Sequence, residues 1–558
     1  MSIAFVFAAI LALSAWLIPA HFYPWITFHA DFAMSCAAFL LTATAIWSRR
    51  GAPDRWPALA IVAALAALIP AGQYLLGQIV FLDDAWMSAL YLLGFALAQV
   101  TGSLVVADHG LRRPIEAFSW LVVVAGLLCV FMCLYQWLRL DYLGALVNDL
   151  APGTRPSANL AQPNQLATLL LWSLVGTGFL FTAHRIGEAV ALFLLCSLGL
   201  GLAMTQSRAG LVGLALILVW LLATRSKIKD RLTPAAIVVA AVTLVGCVAI
   251  WHQLLPLSPE ATGRTEQFTD TGVRARHWIS MIDAILRRPW AGYGWGQLPA
   301  AHYEVALDHP VSGETLAFAH NQALDVLVWS GVPLGALIIC AIAWWFVAAL
   351  RHARTSEQAF ATATVLGVFV HAMVEFPLAY AYLLLPTGLL MGGLSFESTR
   401  HAFVAVPRGF TAFTLAVAAL AVGLVTRDYA RLEPAWMALR LEQARIGSPS
   451  VEPPPRPLVL VYLGEFLVFA RKPTKPGMSE QELDAMKRIV LRYPLASNLL
   501  RYAAALAIND QPDQARKNLA RICRMSPSIV CAESQSAWAG SGKTQPKIAA
   551  VLWPTTTE

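Results

Sequence analysis

Residues 115–137 read IEAFSWLVVVAGLLCVFMCLYQW, an apolar run whose single charged residue is Glu116. A helix of about 20 apolar residues crosses the hydrocarbon core of a bilayer. Similar runs recur at 3–20, 27–47, 57–76, 86–107, 163–183, 187–204, 209–223, 234–252, 324–350, 359–374, 378–395 and 409–426. The sequence therefore predicts an all-α, polytopic membrane protein with about 13 transmembrane helices.

The composition agrees with this fold class. Hydrophobic residues make up 58% of the chain and charged residues 13%, whereas soluble domains have about 45–50% and about 25%. A single soluble core is therefore excluded. The formal charge of +7 would suit nucleic acid, but the basic residues lie in short loops between apolar runs. We interpret them as determinants of topology and as contacts for membrane lipids, and we expect no nucleic-acid partner.

The basic residues also predict an orientation. If the N-terminus is cytoplasmic, the cytoplasmic loops contain most of them, including Arg49, Arg55, Arg112, Arg113, Arg185, Arg225, Lys227, Arg351, Arg354 and Arg408. The short loops on the other side contain only Arg139, Arg155 and Arg208. This asymmetry follows the positive-inside rule. It predicts a bacterial inner-membrane protein whose loop 253–323 and C-terminal part are periplasmic.

Four segments follow from this pattern: an N-terminal bundle (1–252), a large loop (253–323), further transmembrane helices (324–426) and a helical C-terminal domain (427–558). The last segment is predicted to open with a new helix at Arg427. Within the last, residues 479–493, 495–509 and 512–525 have helical spacing and resemble one tetratricopeptide-type unit. One such unit cannot bury its own core, so we expect it to pack on neighbouring helices. The spacing of Cys523 and Cys531 permits a short disulfide outside the cytoplasm.

Several arginines fall where the orientation does not explain them. Arg155 precedes the sixth apolar run, and Arg208 lies in the turn between the seventh and eighth. Arg274 and Arg276 open an amphipathic helix in the large loop. Arginine near a membrane boundary can extend to head groups, but guanidinium groups also bind phosphate bidentately and keep their charge.

His320 lies just before the apolar run at 324–350, and Glu375 interrupts the run at 359–395. A helix N-terminus disfavours imidazolium, so His320 is either a neutral base or only a cap or head-group contact. Glu375 favours a functional role because a membrane carboxylate is costly, whereas Tyr382 alone would suit interfacial anchoring. The histidines show no metal-ligand spacing, so no metal and no cofactor is expected. Arginines with a neutral histidine predict a site for a lipid-linked pyrophosphate.

Short motifs resemble those of the O-antigen ligase superfamily. They are Ser207-Arg208-Ala209-Gly210, Arg274 with Trp278, Pro289, Gly292-Tyr-Gly-Trp-Gly296, His320-Asn321 and Gly331-Val-Pro-Leu-Gly335. Others resemble the protein O-oligosaccharyltransferase branch: Gln162-Pro163-Asn164-Gln165, His371-Ala-Met-Val-Glu375-Phe-Pro377, Tyr380, Tyr382 and a C-terminal segment from Asp428. The resemblance implies a bacterial glycosyltransferase of the GT-C type. It would use an undecaprenyl-pyrophosphate-linked glycan at the periplasmic face without a metal.

The resemblance also implies roles for individual residues. His320 matches the family histidine proposed to activate the acceptor. The arginines that match the family's functional arginines are assigned to the donor pyrophosphate: Arg155, Arg208, and Arg274 with Arg276 as its alternative in the alignment. The residues assigned to the glycan or the acceptor are Gln165, Asn321, Glu375 and Tyr382.

Our hypothesis is en bloc transfer of an oligosaccharide from undecaprenyl pyrophosphate to Ser or Thr of periplasmic proteins such as pilins. The extended C-terminal domain favours a protein acceptor over lipid A-core, the acceptor of an O-antigen ligase. An O-antigen polymerase, with a second lipid-linked glycan as acceptor, is another alternative. A non-enzymatic polysaccharide transporter would predict inverted repeats and midplane charges, whereas the polar residues here lie at the outer boundary.

Overall fold

The computed structural model describes residues 3–49, 53–151, 154–227, 233–254, 272–398, 403–447 and 453–554. The first ten helices are α1 (Ile3–Leu17), α2 (Phe28–Ser48), α3 (Ala58–Ala66), α4 (Leu68–Leu75), α5 (Leu82–His109), α6 (Arg112–Trp137), α7 (Pro163–Thr182), α8 (Glu188–Thr205), α9 (Arg208–Thr224) and α10 (Pro234–Leu254). They are followed by α11 (Gly272–Arg287), α12 (Leu298–Val305), α13 (Gln322–His352), α14 (Ser356–Ala372), α15 (Ala381–Ser398) and α16 (Arg408–Gln443). The last six are α17 (Val461–Arg471), α18 (Glu480–Arg492), α19 (Ala496–Ile508), α20 (Pro512–Met525), α21 (Ser528–Gly542) and α22 (Pro546–Ala549).

The apolar runs of the sequence coincide with helices. Within the described ranges, 9 helical segments are long and apolar enough to cross a membrane: α2, α3 with α4, α5, α6, α7, α8, α10, α13 and α16. Two shorter apolar helices are α1 and α9. The run at 359–395 divides into α14 and α15, with a 3₁₀ turn at Pro377–Ala379 between them. The prediction of an all-α polytopic membrane protein is confirmed.

Two details differ from the sequence prediction. Strands β1 (Asp54–Pro57) and β2 (Phe403–Val406) form an antiparallel pair in which Asp54 lies opposite Val406. The segment from Arg427 does not begin a helix, because α16 continues through it. The change from apolar to polar side chains leaves helix propensity intact, since Arg, Ala, Leu and Glu are all good helix formers. The expected boundary between 426 and 427 therefore has no break in the backbone.

One compact unit comprises residues 1–65, 90–269 and 340–422. Its core is centred on α7, which packs against α6, α8, α9 and α14. Most of α7 is buried, including Trp172 and Phe179, each 1% exposed. Small residues allow close approach: a Cβ at Gly210 would lie 2.9 Å from Cβ of Ala167. The first turns of α7 and α9 are therefore neighbours in this unit.

The second compact unit comprises residues 66–89, 270–339 and 423–558. The predicted tetratricopeptide-type helices are α18, α19 and α20, and they pack on one another and on α21 and α12. Ser312 of the large loop donates its backbone N–H to the carbonyl of Arg524 at 2.8 Å, so the loop packs against α20. Cys523 and Cys531 are disulfide-bonded. The four-segment division stays a prediction, and residues 255–271 of its loop lie outside the described residues.

Candidate active site

His320 lies in a tightly fixed segment of the second unit, between α12 and α13. Its φ of 52° is in the left-handed region. Both backbone groups of the preceding residue, Ala319, are hydrogen-bonded: Trp278 Nε1 donates to its carbonyl at 3.0 Å, and its N–H donates to Oδ1 of Asp325 at 2.7 Å. We call Trp278, Ala319, His320 and Asp325 the His320 clamp. A non-glycine residue in this conformation needs such support from its surroundings.

Asn321 is the N-cap of α13. Its Oδ1 accepts hydrogen bonds from the backbone N–H groups of Ala323 at 3.0 Å and Leu324 at 3.2 Å. An amide side chain at this position satisfies donors that the helix leaves unpaired. The structure therefore gives Asn321 a structural role, and its predicted contact with glycan or acceptor stays a prediction. His320 lies one residue before the cap, at the positive end of the helix dipole.

Helix α11 carries the two arginines of the large loop on the same element as Trp278. Arg274 precedes Trp278 by four residues, which places both on one face of the helix. The Arg274 side chain is partly buried and that of Arg276 is exposed. His277 is 1% exposed, with Nδ1 3.3 Å from Oε1 of Glu314. Burial lowers the pKa of His277, and Glu314 opposes this shift.

Two further histidines stabilise the loop itself. His302 is 2% exposed and its Nδ1 accepts the backbone N–H of Leu316 at 3.2 Å. Burial lowers its pKa to about 3, so this ring is neutral and serves as a hydrogen-bond acceptor. His309 Nε2 lies 2.8 Å from Oδ2 of Asp283. No three His, Cys, Asp or Glu residues are grouped as metal ligands in the part of the chain that the structure describes.

The glycine-rich turn at 292–296 has a packing role. The N–H of Tyr293 donates to the carbonyl of Val328 at 2.8 Å, and the N–H of Gly294 donates to that of Trp329 at 3.1 Å. At Gly331 α13 is kinked, with φ 73° and ψ 174°. A Cβ at Gly292 would lie 2.5 Å from the carbonyl oxygen of Val328. The backbone of the turn therefore packs against the kinked helix that begins after His320. This close packing accounts for the glycines of the turn.

In the first unit, a network of amides fixes the loop that carries Arg155. Gln136 of α6 donates to the carbonyls of Asn148 and Ala158 and accepts the N–H groups of Ser157 and Ala158. Three of these hydrogen bonds hold the chain just after Arg155, and the fourth holds Asn148 before it. Because the loop lacks regular structure, its backbone groups depend on such side chains.

Arg155 and Arg208 lie beside the same turn of that unit. Arg155 Nη1 donates to the carbonyl of Gln206 at 3.1 Å, and Gln206 ends α8 in the left-handed conformation. Ser207 caps α9 by accepting the N–H of Gly210 at 3.1 Å. Arg208 is the first residue of α9 and is exposed. A helix N-terminus with two arginines nearby favours an anionic ligand.

A cluster of polar side chains lies at the start of α7, and we call it the Gln165 cluster. Its members are Asn164, Gln165, Thr168, His371, Glu375, Tyr380 and Tyr382. Asn164 Nδ2 donates to Oε1 of Glu375 at 3.1 Å, and Thr168 Oγ1 lies 2.6 Å from Nδ1 of His371. The rings of Tyr380 and Tyr382 stack with centroids 5.4 Å apart.

Gln165 has the least satisfied side chain of this cluster. It is 1% exposed, and neither of its amide atoms has a hydrogen-bond partner among the described residues. The Tyr380 hydroxyl is near enough to this amide for a weak hydrogen-bonding interaction, but its geometry falls outside that of a formed hydrogen bond. A buried unpartnered amide costs about 1–3 kcal/mol. Such an amide is suited to a ligand that supplies the missing donor and acceptor.

The turn before Tyr382 is fixed from another helix. Asp31 of α2 accepts the N–H of Ala381 at 2.7 Å and the hydroxyl of Tyr91 at 3.1 Å. Trp16 Nε1 donates to the carbonyl of Tyr382 at 3.0 Å. These contacts leave the Tyr382 side chain buried, so its role as an exposed interfacial anchor is excluded.

The predicted residues therefore form two sets. The first unit contains Arg155, Arg208, Gln165, Glu375 and Tyr382, and the second contains Arg274, Arg276, His320 and Asn321. Sequence reasoning missed Asp31 and Asp325, and it quoted Asn164 and Trp278 within motifs without giving either a role. Asp31 and Asp325 had a usable signal, because each is an acidic residue inside an apolar run.

Comparison with known proteins gives matches along most of the chain. The O-antigen ligase family matches residues 191–339, and the C-terminal family of virulence factor membrane-bound polymerases matches residues 359–528. The protein glycosylation ligase family matches residues 156–181, which include Gln165. The matched ranges cover eight of the nine predicted site residues, and Arg155 lies one residue before the third range.

Two curated relatives come from Acinetobacter baylyi. A general O-oligosaccharyltransferase is 28% identical over 528 residues, which are 93% of this chain and 91% of the relative. A ComP-specific O-oligosaccharyltransferase is 27% identical over 330 residues, or 59% of this chain and 60% of the relative. The chain is thus a membrane glycosyltransferase, and its matches support the O-antigen ligase superfamily and its O-oligosaccharyltransferase branch.

Proposed function

We propose that this protein transfers a preassembled oligosaccharide en bloc from undecaprenyl pyrophosphate to Ser or Thr of periplasmic proteins, pilins among them. The His320 clamp carries the proposal, because it holds a histidine at a helix N-terminus with Arg274 on the helix that fixes it. The relative that covers 93% of the chain supports oligosaccharyl transfer, and the match of the protein glycosylation ligase family at residues 156–181 supports a protein acceptor.

The proposal includes the orientation predicted from the basic loops. The N-terminus would be cytoplasmic in the bacterial inner membrane, and His320 and the C-terminal helices would be periplasmic. The disulfide between Cys523 and Cys531 supports a periplasmic location for α20 and α21, since disulfides persist in oxidising compartments.

In the proposed mechanism His320 acts as a general base. Its neutral imidazole takes the proton from the acceptor hydroxyl as the oxygen attacks the anomeric carbon of the glycan. A new C–O bond to the acceptor forms while the C–O bond to the pyrophosphate breaks. One displacement inverts the anomeric configuration, and the undecaprenyl pyrophosphate leaves as an anion.

The arginines would stabilise that leaving group. Arg155 and Arg208 would bind the pyrophosphate at the first turn of α9. Arg274 and Arg276 of α11 are assigned to the pyrophosphate by the resemblance alone. Guanidinium groups keep their charge throughout and provide paired donors to phosphate oxygens. The proposed contacts with the glycan or the acceptor come from Gln165, Asn321, Glu375 and Tyr382. Of these side chains, the unpartnered amide of Gln165 gives the strongest support.

Acceptor choice tests this function. The purified full-length protein, reconstituted in liposomes with a synthetic undecaprenyl-pyrophosphate-linked trisaccharide, is offered a serine-bearing pilin, lipid A-core or only further donor. We expect a trisaccharide mass increase on the pilin alone. Transfer only to lipid A-core would instead show an O-antigen ligase. Chain extension on the donor would show a polymerase, the activity suggested by the match at residues 359–528.

A further inference from the structure

We propose that Asp325 is a positioning residue that orients His320 and stabilises the imidazolium formed when His320 accepts a proton. This inference rests on the proposed function, in which His320 is the base. Asp325 lies in the first turn of α13, five residues after the histidine.

The two carboxylate oxygens of Asp325 have different surroundings. Oδ1 accepts the N–H of Ala319, the residue before His320, at 2.7 Å. Oδ2 is buried and has no hydrogen-bond partner in the part of the chain that the structure describes. The residue as a whole is 0% exposed. One oxygen therefore holds the backbone beside His320, and the other is a buried carboxyl oxygen with no hydrogen-bond partner among the described residues.

A buried carboxylate without a cation is costly, and helix position offsets only part of that cost. The first turn of α13 favours a negative charge through the helix dipole. The Asp325 side chain interacts electrostatically with His320. Proton transfer from the acceptor creates the missing cation on the imidazole, so Asp325 stabilises the charged state that the base reaches in the transition state.

Other charged or titratable groups also act around this ring. Arg276 and His277 on α11 act on the same region, together with Glu314 of the large loop. Arg274 lies on the same helix as the first two. The arginines oppose a positive charge on His320, and Glu314 is half exposed and screened by water. Asp325 is the buried carboxylate among them, which gives it the strongest influence on the imidazolium.

Asp325→Asn separates the two roles. Asparagine has nearly the same shape and its Oδ1 still accepts the Ala319 N–H, so the backbone stays in place while the charge is lost. A carboxylate stabilises the charged form of a neighbouring imidazole, and its removal disfavours that form. The acid limb of kcat/KM against pH reports the base of the free enzyme. We expect this limb to move about one pH unit lower and kcat to fall about tenfold or more, because the base becomes weaker.

Trp278→Phe is the matched control. It removes the other hydrogen bond to Ala319 but changes no charge, so kcat should fall while the acid limb stays at its wild-type pH. Both variants should melt within about 2 °C of wild type. The assay uses the liposome system with the synthetic undecaprenyl-pyrophosphate-linked trisaccharide and the serine-bearing pilin.

His320→Ala distinguishes failure of the proposed function from failure of the role proposed for Asp325. If it abolishes transfer while the limb of Asp325→Asn stays at the wild-type pH, the role of Asp325 is overturned and His320 remains the base. Wild-type transfer by His320→Ala would overturn the proposed base and the inference together. A shifted limb in Asp325→Asn with an unshifted limb in Trp278→Phe supports the proposal.

Discussion

The His320 clamp and the Gln165 cluster are built in opposite ways. In the clamp, side chains bind backbone groups, and both the N–H and the carbonyl of Ala319, the residue before His320, are hydrogen-bonded. In the cluster, polar side chains face one another at the start of α7, and the Gln165 amide has no hydrogen-bond partner among the described residues. The first arrangement fixes the backbone of His320 in a strained, left-handed conformation. The second leaves the buried Gln165 amide without a hydrogen-bond partner among the described residues, which lowers stability.

From this contrast we propose that the His320 clamp serves the chemical step and that the Gln165 cluster binds a ligand. Substitutions that loosen the clamp should lower the rate of transfer, whereas substitutions in the cluster should weaken binding without loosening the fold. The following experiments test that contrast in order of decreasing effect.

Gly292→Ala should have the largest effect on stability, because it disrupts the packing of the glycine-rich turn against α13. The new Cβ would lie 2.5 Å from the carbonyl oxygen of Val328, at φ +69°. We expect the free energy of unfolding to fall by about 3 kcal/mol, measured by thermal melting in detergent. Gly313→Ala is the control, since Gly313 has φ +76° but open space around it; it should cost about 1 kcal/mol. Equal losses would mean that backbone strain alone explains the turn.

Arg208→Gln should lower the transfer rate about a hundredfold, as expected for the loss of a charged group that stabilises a leaving anion. Arg139→Gln is a matched control, because Arg139 is also an exposed arginine of the first unit but lies outside the motifs. It should leave the rate near that of wild type. Initial rates with the trisaccharide donor measure both variants. Equal losses would reduce the role of Arg208 to a general effect of surface charge.

Gln165→Leu should stabilise the protein and impair it at the same time. Removing the unpartnered amide should raise the free energy of unfolding by about 1 kcal/mol, while the KM for donor or acceptor rises about tenfold through the loss of one ligand hydrogen bond. Gln99→Leu is the matched control, because Gln99 is also fully buried with both amide atoms unpartnered among the described residues. It should stabilise the protein and leave KM unchanged. A raised KM in both variants would contradict the proposal that the Gln165 cluster binds a ligand.

Acid should weaken the second unit through His302. Burial lowers the pKa of this ring to about 3, so the unfolded chain binds a proton near pH 6.5 and the folded chain does not. The stability is therefore fully present above pH 6.5. It falls by about 1.4 kcal/mol for each pH unit from there towards pH 3. His302→Gln should flatten the dependence of melting temperature on pH between 6.5 and 4. An unchanged slope would show that other groups govern it.

Much of this organisation could be predicted from the sequence, and the failures have physical causes. The helices follow from the length and hydropathy of the apolar runs, and α18 to α20 from helical spacing. The β1–β2 pair was missed because its two four-residue strands are far apart in the chain. The continuation of α16 through Arg427 was missed because a change in polarity was taken for a break.

For the site, sequence reasoning found residues that stand out locally, such as His320 at the end of an apolar run. It could not find Trp278 as the partner of Ala319, since that hydrogen bond joins residues 41 positions apart. Nor could it find the packing of the turn at 292–296 against Gly331, because that backbone contact is visible only in three dimensions.

The central claim is that His320 activates the hydroxyl of a protein acceptor. Intact-protein mass spectrometry of the serine-bearing pilin, after incubation with donor and either wild-type protein or His320→Ala in liposomes, tests it most directly. With the wild type we expect one trisaccharide on a serine or threonine of the pilin. With His320→Ala we expect the transfer rate to fall at least about a hundredfold at an unchanged melting temperature. Unmodified pilin with the wild type, or equal modification by both proteins, would contradict it.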